Sequence, residues 1–311
     1  VSKRFAWVFP GQGSQKVGMG RVWAERYPEA AAVFAAADAA LGEPLSQLCF
    51  EGPEETLQLT ANTQPAILAA SVAMLAACRE MLPAPVAVAG HSLGEYSAHV
   101  AAATLPLAEA LRLVRRRGEL MQAAVPVGEG AMAALLGLDP EVVAALVREA
   151  AGDEVCAIAN LNSPEQVVIA GHRGAVERAI ALARERGAKR ALPLPVSAPF
   201  HCPLMAPARA GLTPDLEAAP FATPAIPVVT NIDARPVTSA AAARDALVRQ
   251  IDGPVRWVEV VRHLVDELGV EAIVEIGPGA VLAGLVKRIA PQVATLAINE
   301  PEALARLEAL V

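Results

Sequence analysis

Three short apolar runs each stop on a tight glycine turn, and this recurring pattern is the strongest constraint on the fold. Phe5–Phe9 stops at Pro10-Gly11-Gln12-Gly13-Ser14, residues 86–89 stop at Gly90-His91-Ser92-Leu93-Gly94, and Ala272–Ile276 stops at Gly277-Pro278-Gly279. Runs this short, without polar alternation, read as strands buried on both faces. Helical patterns lie over residues 22–41, over 65–81 (closed by Pro83 and Pro85) and over 281–289. Strands alternating with long helices imply a parallel α/β sheet. Ala is abundant and aromatics are only 4%, which suits closely packed helices rather than a β-sandwich.

The texture changes near Gly130. Strands are expected over 131–138, 155–160, 166–170 and 190–196, with helices over 139–151 and 174–186. That order, β-α-β-β-α-β, is the ferredoxin-like unit. A Pro-rich loop over 193–207 follows. After it come a helix, a strand over 226–230, a helix ending at Gln250 and a helix over 255–268. The expected fold class is therefore α/β: a large parallel-sheet, α/β-hydrolase-like domain from residues 1–128 and 198–311, with a small ferredoxin-like subdomain, 129–197, inserted in it. A chain of 311 residues fits two units at roughly 150 residues each.

Several function classes are disfavoured. The net charge of -7 gives no basic footprint for nucleic acid. The four cysteines (Cys49, Cys78, Cys156 and Cys202) form no CxxC pair, so neither a zinc ribbon nor a redox motif is indicated and a reduced, cytoplasmic setting is expected. Phe5–Phe9 is too short for a signal segment. The uncharged run from Pro65 to Cys78 falls short of the ~20 residues of a membrane span and reads as a core helix. A monomer with no membrane contact is the expectation.

Chemistry concentrates at Gly90-x-Ser92-x-Gly94, the nucleophile-elbow pattern. The chain must pass from strand to helix within a few residues, which lifts Ser92 to the C-terminal edge of the sheet, where open α/β folds bind ligands. The Leu93 amide, at the start of the helix, can stabilise an oxyanion. Gly11-Gln12-Gly13 also follows a strand; it lacks a complete phosphate-loop motif, and by itself reads equally as a plain tight turn or as the source of a second oxyanion amide, from Gln12. A serine nucleophile needs a base. Of the five histidines, His91 adjoins the nucleophile and should point elsewhere, and His99 lies about two turns along the next helix. His172 and His263 read as surface or helix-face residues. His201 sits in the proline-stiffened loop Ser197-Ala198-Pro199-Phe200-His201, which suits an oriented base; a purely structural histidine there stays open. The spacing of His91, Glu95 and His99 imitates a metal face, but His91 precedes the helix, so the three do not share a face and no metal is expected.

At these residues the chain resembles the malonyl-CoA:acyl-carrier-protein transacylases, and more broadly the acyltransferase domains of fatty acid and polyketide synthases. The matching segments are Phe9 through Gln15 (FPGQGSQ), Thr63-Gln64-Pro65-Ala66, Gly90 through Glu95 (GHSLGE), Arg115 through Gln122 (RRRGELMQ), Gly130-Ala131-Met132-Ala133, Ser197 through His201 (SAPFH), Val255-Arg256-Trp257 and Glu275 through Gly279 (EIGPG). They span nearly the whole chain in order. The resemblance implies Ser92 as the acyl-carrying nucleophile and His201 as its base. It also implies Gln250 as the residue orienting His201 through its backbone carbonyl, the Gln12 and Leu93 amides as the oxyanion hole, and Arg117 as the receptor for malonate's free carboxylate. Phe200 before His201 resembles malonyl-selective members. Malonyl-CoA and an acyl carrier protein are the implied partners, and no dissociable cofactor is implied. The carrier is expected to be acidic, with Lys189, Arg190, Lys287 and Arg288 as candidate docking residues.

Arg117 also has a physical argument: a planar guanidinium holds a carboxylate by two parallel hydrogen bonds. Its competing reading is a solvated helix face shared with Arg115 and Arg116. The chain departs from the family pattern at His99, Cys202 and Ala280, none of them a proposed catalytic group. The rivals are a trans-acting polyketide acyltransferase with another extender unit, a serine thioesterase or esterase, and a non-catalytic carrier-docking module. The α/β-hydrolase order places an acid between serine and histidine, whereas here the orienting Gln250 follows His201.

Overall fold

The computed structural model describes residues 3–310. In chain order its strands are β1 (Phe5–Phe9), β2 (Pro85–Gly90), β3 (Gly130–Leu136), β4 (Cys156–Ser163) and β5 (Gln166–His172). The rest are β6 (Arg190–Pro193), β7 (Val228–Val229), β8 (Pro236–Val237), β9 (Ala272–Ile276) and β10 (Ala294–Ile298). They form two sheets: a six-stranded one in the order β10-β9-β1-β2-β7-β8 and a four-stranded one in the order β4-β5-β3-β6.

The large sheet is parallel from β10 to β7, and only the two-residue β8 runs antiparallel, at one edge. Its strands are covered on both faces, as uninterrupted apolar runs require. Phe5, Trp7 and Phe9 face one core and Ala6 and Val8 the other, the period-2 alternation of a strand. The first core holds the Thr60–Cys78 helix, and the second holds Trp257, Val260, Val261 and Leu285. That helix and its extension to Met81 are long and apolar enough to cross a membrane, yet 78% of the apolar window is buried inside the protein. Here it is a core helix.

The small sheet takes all its strands from Gly130–Pro193 and is antiparallel throughout. Numbered within that segment, its order is 2-3-1-4, as the ferredoxin-like expectation requires. It is tied to the large body by β4: Leu161 N–H donates to Val255 O at 2.9 Å and Val255 N–H to Ala159 O at 2.8 Å. This seam brings Asn160 and Asn162 toward the C-terminal edge of the large sheet.

Several boundaries differ from the sequence reading. The helix over 22–41 is two helices, Arg21–Arg26 and Pro28–Leu41, because Pro28 forces Tyr27 into an extended conformation (φ -126°, ψ 114°). The strand over 226–230 shrinks to Val228–Val229, flanked by Pro227 and the Thr230 turn. The strand over 190–196 ends at Pro193, and the helix over 255–268 runs from Trp257 to Arg262 and then continues as a wider turn, His263–Glu267. The edge strands β8 and β10 had no counterpart in the reading.

Candidate active site

The elbow is built as its glycines demand. A Cβ on Gly90 would lie 1.9 Å from Gly94 O, and one on Gly94 would lie 2.3 Å from Phe9 O, so neither position admits a side chain. Ser92 itself takes the left-handed conformation, φ 53°, between them, a strained geometry held by its surroundings. The same is true of His201, φ 56°. The two meet: Ser92 Oγ lies 2.6 Å from His201 Nε2. His201 Nδ1 lies 3.0 Å from Gln250 O and 3.1 Å from Gly253 O. Two carbonyls can only accept, so the ring carries its proton on Nδ1 and offers the Nε2 lone pair to the serine hydroxyl. No carboxylate is needed. Burial, with Arg117 adding to it, pushes the His201 pKa down to about 3, so the imidazole is neutral at neutral pH.

Arg117 is 2% exposed, which removes the solvated-face reading for this member of the arginine run. Arg116 lies on the exposed side of the helix. Arg117 Nη2 donates to Ser92 Oγ at 3.1 Å and to Gln250 Oε1 at 3.0 Å, and Nη1 donates to Gln64 Oε1 at 2.7 Å. Its Nε has no partner among the described residues. Burial lowers the Arg117 pKa from its ordinary value, but from so high a starting point that the group stays charged. A buried cation with amide and hydroxyl partners but no carboxylate bonded to it has charge to offer an anion.

A cavity of about 220 Å³ opens over these groups, lined by Gln12, Ser92, Leu93, Arg117, Phe200 and His201 among others. Gln250 lies beneath it, wholly buried. The Gln12 and Leu93 amides donate to no acceptor among the described residues. The small sheet supplies the opposite wall with Asn160, Asn162 and Gln166. His91 points away from Ser92 toward Asn162 Oδ1, 2.8 Å from its Nε2, with its ring 5.6 Å from that of Trp257. His172 Nδ1 accepts from Val155 N–H, and His263 contacts Arg235. His99 is buried beside Glu95, with 3.9 Å between Nε2 and Oε1. Among the described residues no three histidine, cysteine, aspartate or glutamate side chains gather as a metal site.

Three residues of the site escaped the sequence reading. Asn231 Oδ1 accepts from Ser92 N–H at 2.7 Å, and Asn231 Nδ2 donates to Gly90 O at 2.6 Å, so it pins the elbow from both sides. Glu95 Oε2 accepts from Asn231 N–H and from Gln250 Nε2, each at 2.8 Å. Gln64 sits against Arg117. Gln64 and Glu95 lie inside matched segments, and Asn231 follows a strand at the sheet's C-terminal edge, where ligand-facing residues collect.

The model for the acyl transferase domain matches residues 6–300. The chain belongs to this acyl transferase family. It is 52% identical to the malonyl CoA-acyl carrier protein transacylase of Escherichia coli K12 over 303 residues, covering 97% of this chain and 98% of that one. It is 46% identical to the enzyme of that name from Bacillus subtilis, covering 97% and 95%. Among solved structures, an acyl carrier protein S-malonyltransferase from Vibrio cholerae superposes with a TM-score of 0.95 at 49% identity, covering 98% of this chain and 99% of that one. A malonyl-transacylase in complex with its type II PKS acyl-carrier protein gives 0.95 and 49%, with the same coverage.

Proposed function

We propose that this acyl transferase moves a malonyl group from malonyl-CoA to the phosphopantetheine thiol of an acyl carrier protein, through a malonyl ester on Ser92. The observation that carries the reading is a single hydroxyl contacted from two sides, by the lone pair of a neutral His201 and by the buried cation Arg117. In the first half-reaction Ser92 Oγ attacks the thioester carbonyl carbon while His201 Nε2 takes its proton. The carbon–sulfur bond then breaks, and His201 returns the proton to the departing thiolate of coenzyme A. In the second, the carrier's thiol gives its proton to His201 and attacks the ester, and Ser92 leaves and is reprotonated. The mechanism is ping-pong, because each acyl donor or acceptor uses the same hydroxyl in turn.

The oxyanion of each tetrahedral intermediate falls to the Gln12 and Leu93 amides, where one donor is worth about 10²–10³ in rate. Arg117 receives the free carboxylate of malonate. The carbonyls of Gln250 and Gly253 hold the His201 tautomer and stabilise the imidazolium that forms. Phe200 lines the cavity beside Arg117 and limits room for bulkier acyl groups. Four free, buried cysteines suit a reducing cytoplasm. The product supplies malonyl units for fatty acid synthesis. A polyketide carrier is the second reading, favoured by likeness to a transacylase bound to a type II PKS carrier.

Intact-mass analysis tests the proposal. Incubation with malonyl-CoA alone should add one malonyl group, mapping to Ser92, and holo carrier protein should remove it. Ser92→Ala should form no adduct. A variant that still transfers malonyl at a rate near wild type would refute the nucleophile assignment.

A further inference from the structure

Behind the serine, the Gly94–Ala101 helix buries Glu95 and His99, an acid and a base that the transfer chemistry leaves unused. Glu95 and His99 are one turn apart and fully buried. Glu95 Oε2 is occupied, accepting from Asn231 N–H and Gln250 Nε2. Those two donors hold the nucleophile in turn: Asn231 accepts from Ser92 N–H, and Gln250 Nε2 also donates to Ser92 O at 3.0 Å. The other end of the same Gln250 amide accepts from Arg117. One side-chain amide therefore separates Glu95 from the cation at the reacting hydroxyl.

Glu95 Oε1 has no donor, and neither ring nitrogen of His99 has a partner, among the described residues. A bare carboxylate oxygen and a bare imidazole, both buried and facing each other, would be costly. One proton relieves Oε1 and Nε2 together: a neutral carboxyl donates from Oε1 to the His99 Nε2 lone pair once the 3.9 Å gap closes by about 1 Å to ordinary hydrogen-bond length, while Oε2 keeps its two donors and only the Nδ1–H of His99 stays unpaired.

We propose that Glu95 is a positioning residue of the transfer site, held uncharged by sharing its Oε1 proton with His99, so that Arg117 keeps its full charge for the carboxylate of the incoming acyl group. The proposal rests on Arg117 as that receptor. Burial agrees with it, pushing Glu95 up to about 7 and His99 down to about 3. The charged and titratable groups facing the pair are few. Arg117 draws the Glu95 pKa down and Asp233 raises it. Tyr96 adjoins on the same helix, its ring 5.8 Å from Arg117. Phe221 lies edge-on to His99 at 6.4 Å, with Arg244 behind it at 5.5 Å. The Thr60–Cys78 helix on the other side carries no Asp, Glu, Lys, Arg or His.

As pH rises through about 7, Glu95 ionises and competes with the substrate for Arg117. KM for a malonyl thioester should then rise, with little change in kcat. The probe is malonyl-N-acetylcysteamine, which has no phosphate to titrate, with the acetyl thioester as a control whose KM stays flat. Wild-type KM for the malonyl probe should increase about fivefold from pH 6 to 9, the size of a partly screened charge interaction. Glu95→Gln copies the neutral carboxyl, has no proton to lose and should show a flat KM across this range. His99→Leu removes the acceptor that holds the proton on Oε1, disfavours the neutral carboxyl and should move the KM rise down by about one pH unit. A flat wild-type profile, or a Glu95→Gln profile that rises like wild type, overturns the proposal. If Glu95→Gln does not fold, an unshifted midpoint in His99→Leu overturns it. The malonyl-Ser92 adduct, measured first by mass, separates the two readings: its absence sinks the transfer assignment, and its presence with an unmoved pH profile sinks only the Glu95–His99 assignment.

Discussion

Arg117 does two things with one guanidinium, and they can be separated. In the proposed chemistry its Nη2 donation to Ser92 Oγ would stabilise negative charge on the nucleophile, and its fork is sized for a carboxylate. Charge-assisted hydrogen bonds contribute about 1.5–3 kcal/mol each. Arg117→Ala should therefore lower kcat/KM for malonyl-CoA by about 10²–10³, while acetyl-CoA, which has no carboxylate to lose, falls far less. Arg117→Lys keeps the charge but not the fork and should recover only part of the difference. Competition between the two thioesters checks this, and an unchanged malonyl-to-acetyl ratio in Arg117→Ala would remove the carboxylate role. Local context made Ser92 and the His201 loop legible in the sequence, because an elbow and a proline-stiffened loop are short-range patterns. Arg117 was legible only by resemblance, since Arg115 and Arg116 look the same from the sequence. Asn231 was not legible: it bonds to Ser92 across 139 residues and to Glu95 across 136, and no local signal marks such a partner.

The elements that aim Arg117 are two helices in close contact. Pro65, inside the Thr60–Cys78 helix, cannot donate to the carbonyl four residues back, and that freed carbonyl, Ala61 O, is taken by Arg115 Nη1 at 2.8 Å. The facing helix, Leu107–Ala123, approaches at Gly118, where a Cβ would lie 2.6 Å from Ala61 Cα and 2.8 Å from Thr60 O. Both obstacles are backbone and cannot swing aside. Gly118→Ala gains about 1 kcal/mol in helix propensity, but overpacking costs about 1–3 kcal/mol, and a clash with rigid backbone belongs at the upper end. The variant should unfold at lower urea and bind malonyl-CoA more weakly, because Gly118 adjoins Arg117; a stabilised variant would mean that the helices are free to separate. At this scale the strand–turn–helix order and the ferredoxin-like insert were readable because both rest on periodicity. The edge strands β8 and β10 were not. β8 has only two residues, and β10 is partly exposed and lacks a terminal glycine turn.

Over the whole molecule, buried carboxyls and histidines pull the pH dependence of stability in opposite directions. Burial raises Glu95 and Glu275 from 4.5 to about 7, and Glu275 takes this shift even while it accepts from the Leu282 and Ala283 amides at a helix start. Burial lowers His99 and His201 from 6.5 to about 3. For the two carboxyls the folded state holds the proton more tightly, so the stability they contribute is complete below 4.5 and is lost as pH rises through 7. For the two histidines the folded state holds it less tightly, so their contribution is complete above 6.5 and is lost as pH falls through 3. Between 4.5 and 6.5 the two slopes oppose, and His91 and His263, also lowered by burial, tip the balance to the histidine side, so stability rises gently with pH. Asp233, held low by its hydrogen bonds to Arg249, adds to the acid loss. The urea midpoint should therefore be highest at about pH 6.5 and lower at both 3.5 and 8. Glu275→Gln keeps an acceptor for the helix amides but has no proton to lose, so its midpoint should fall less than wild type between about pH 6.5 and 8. A wild-type midpoint higher at pH 8 than at about 6.5 would mean that these carboxyls are ionised in the folded protein at neutral pH, and that the charge on Arg117 is already partly cancelled before substrate arrives.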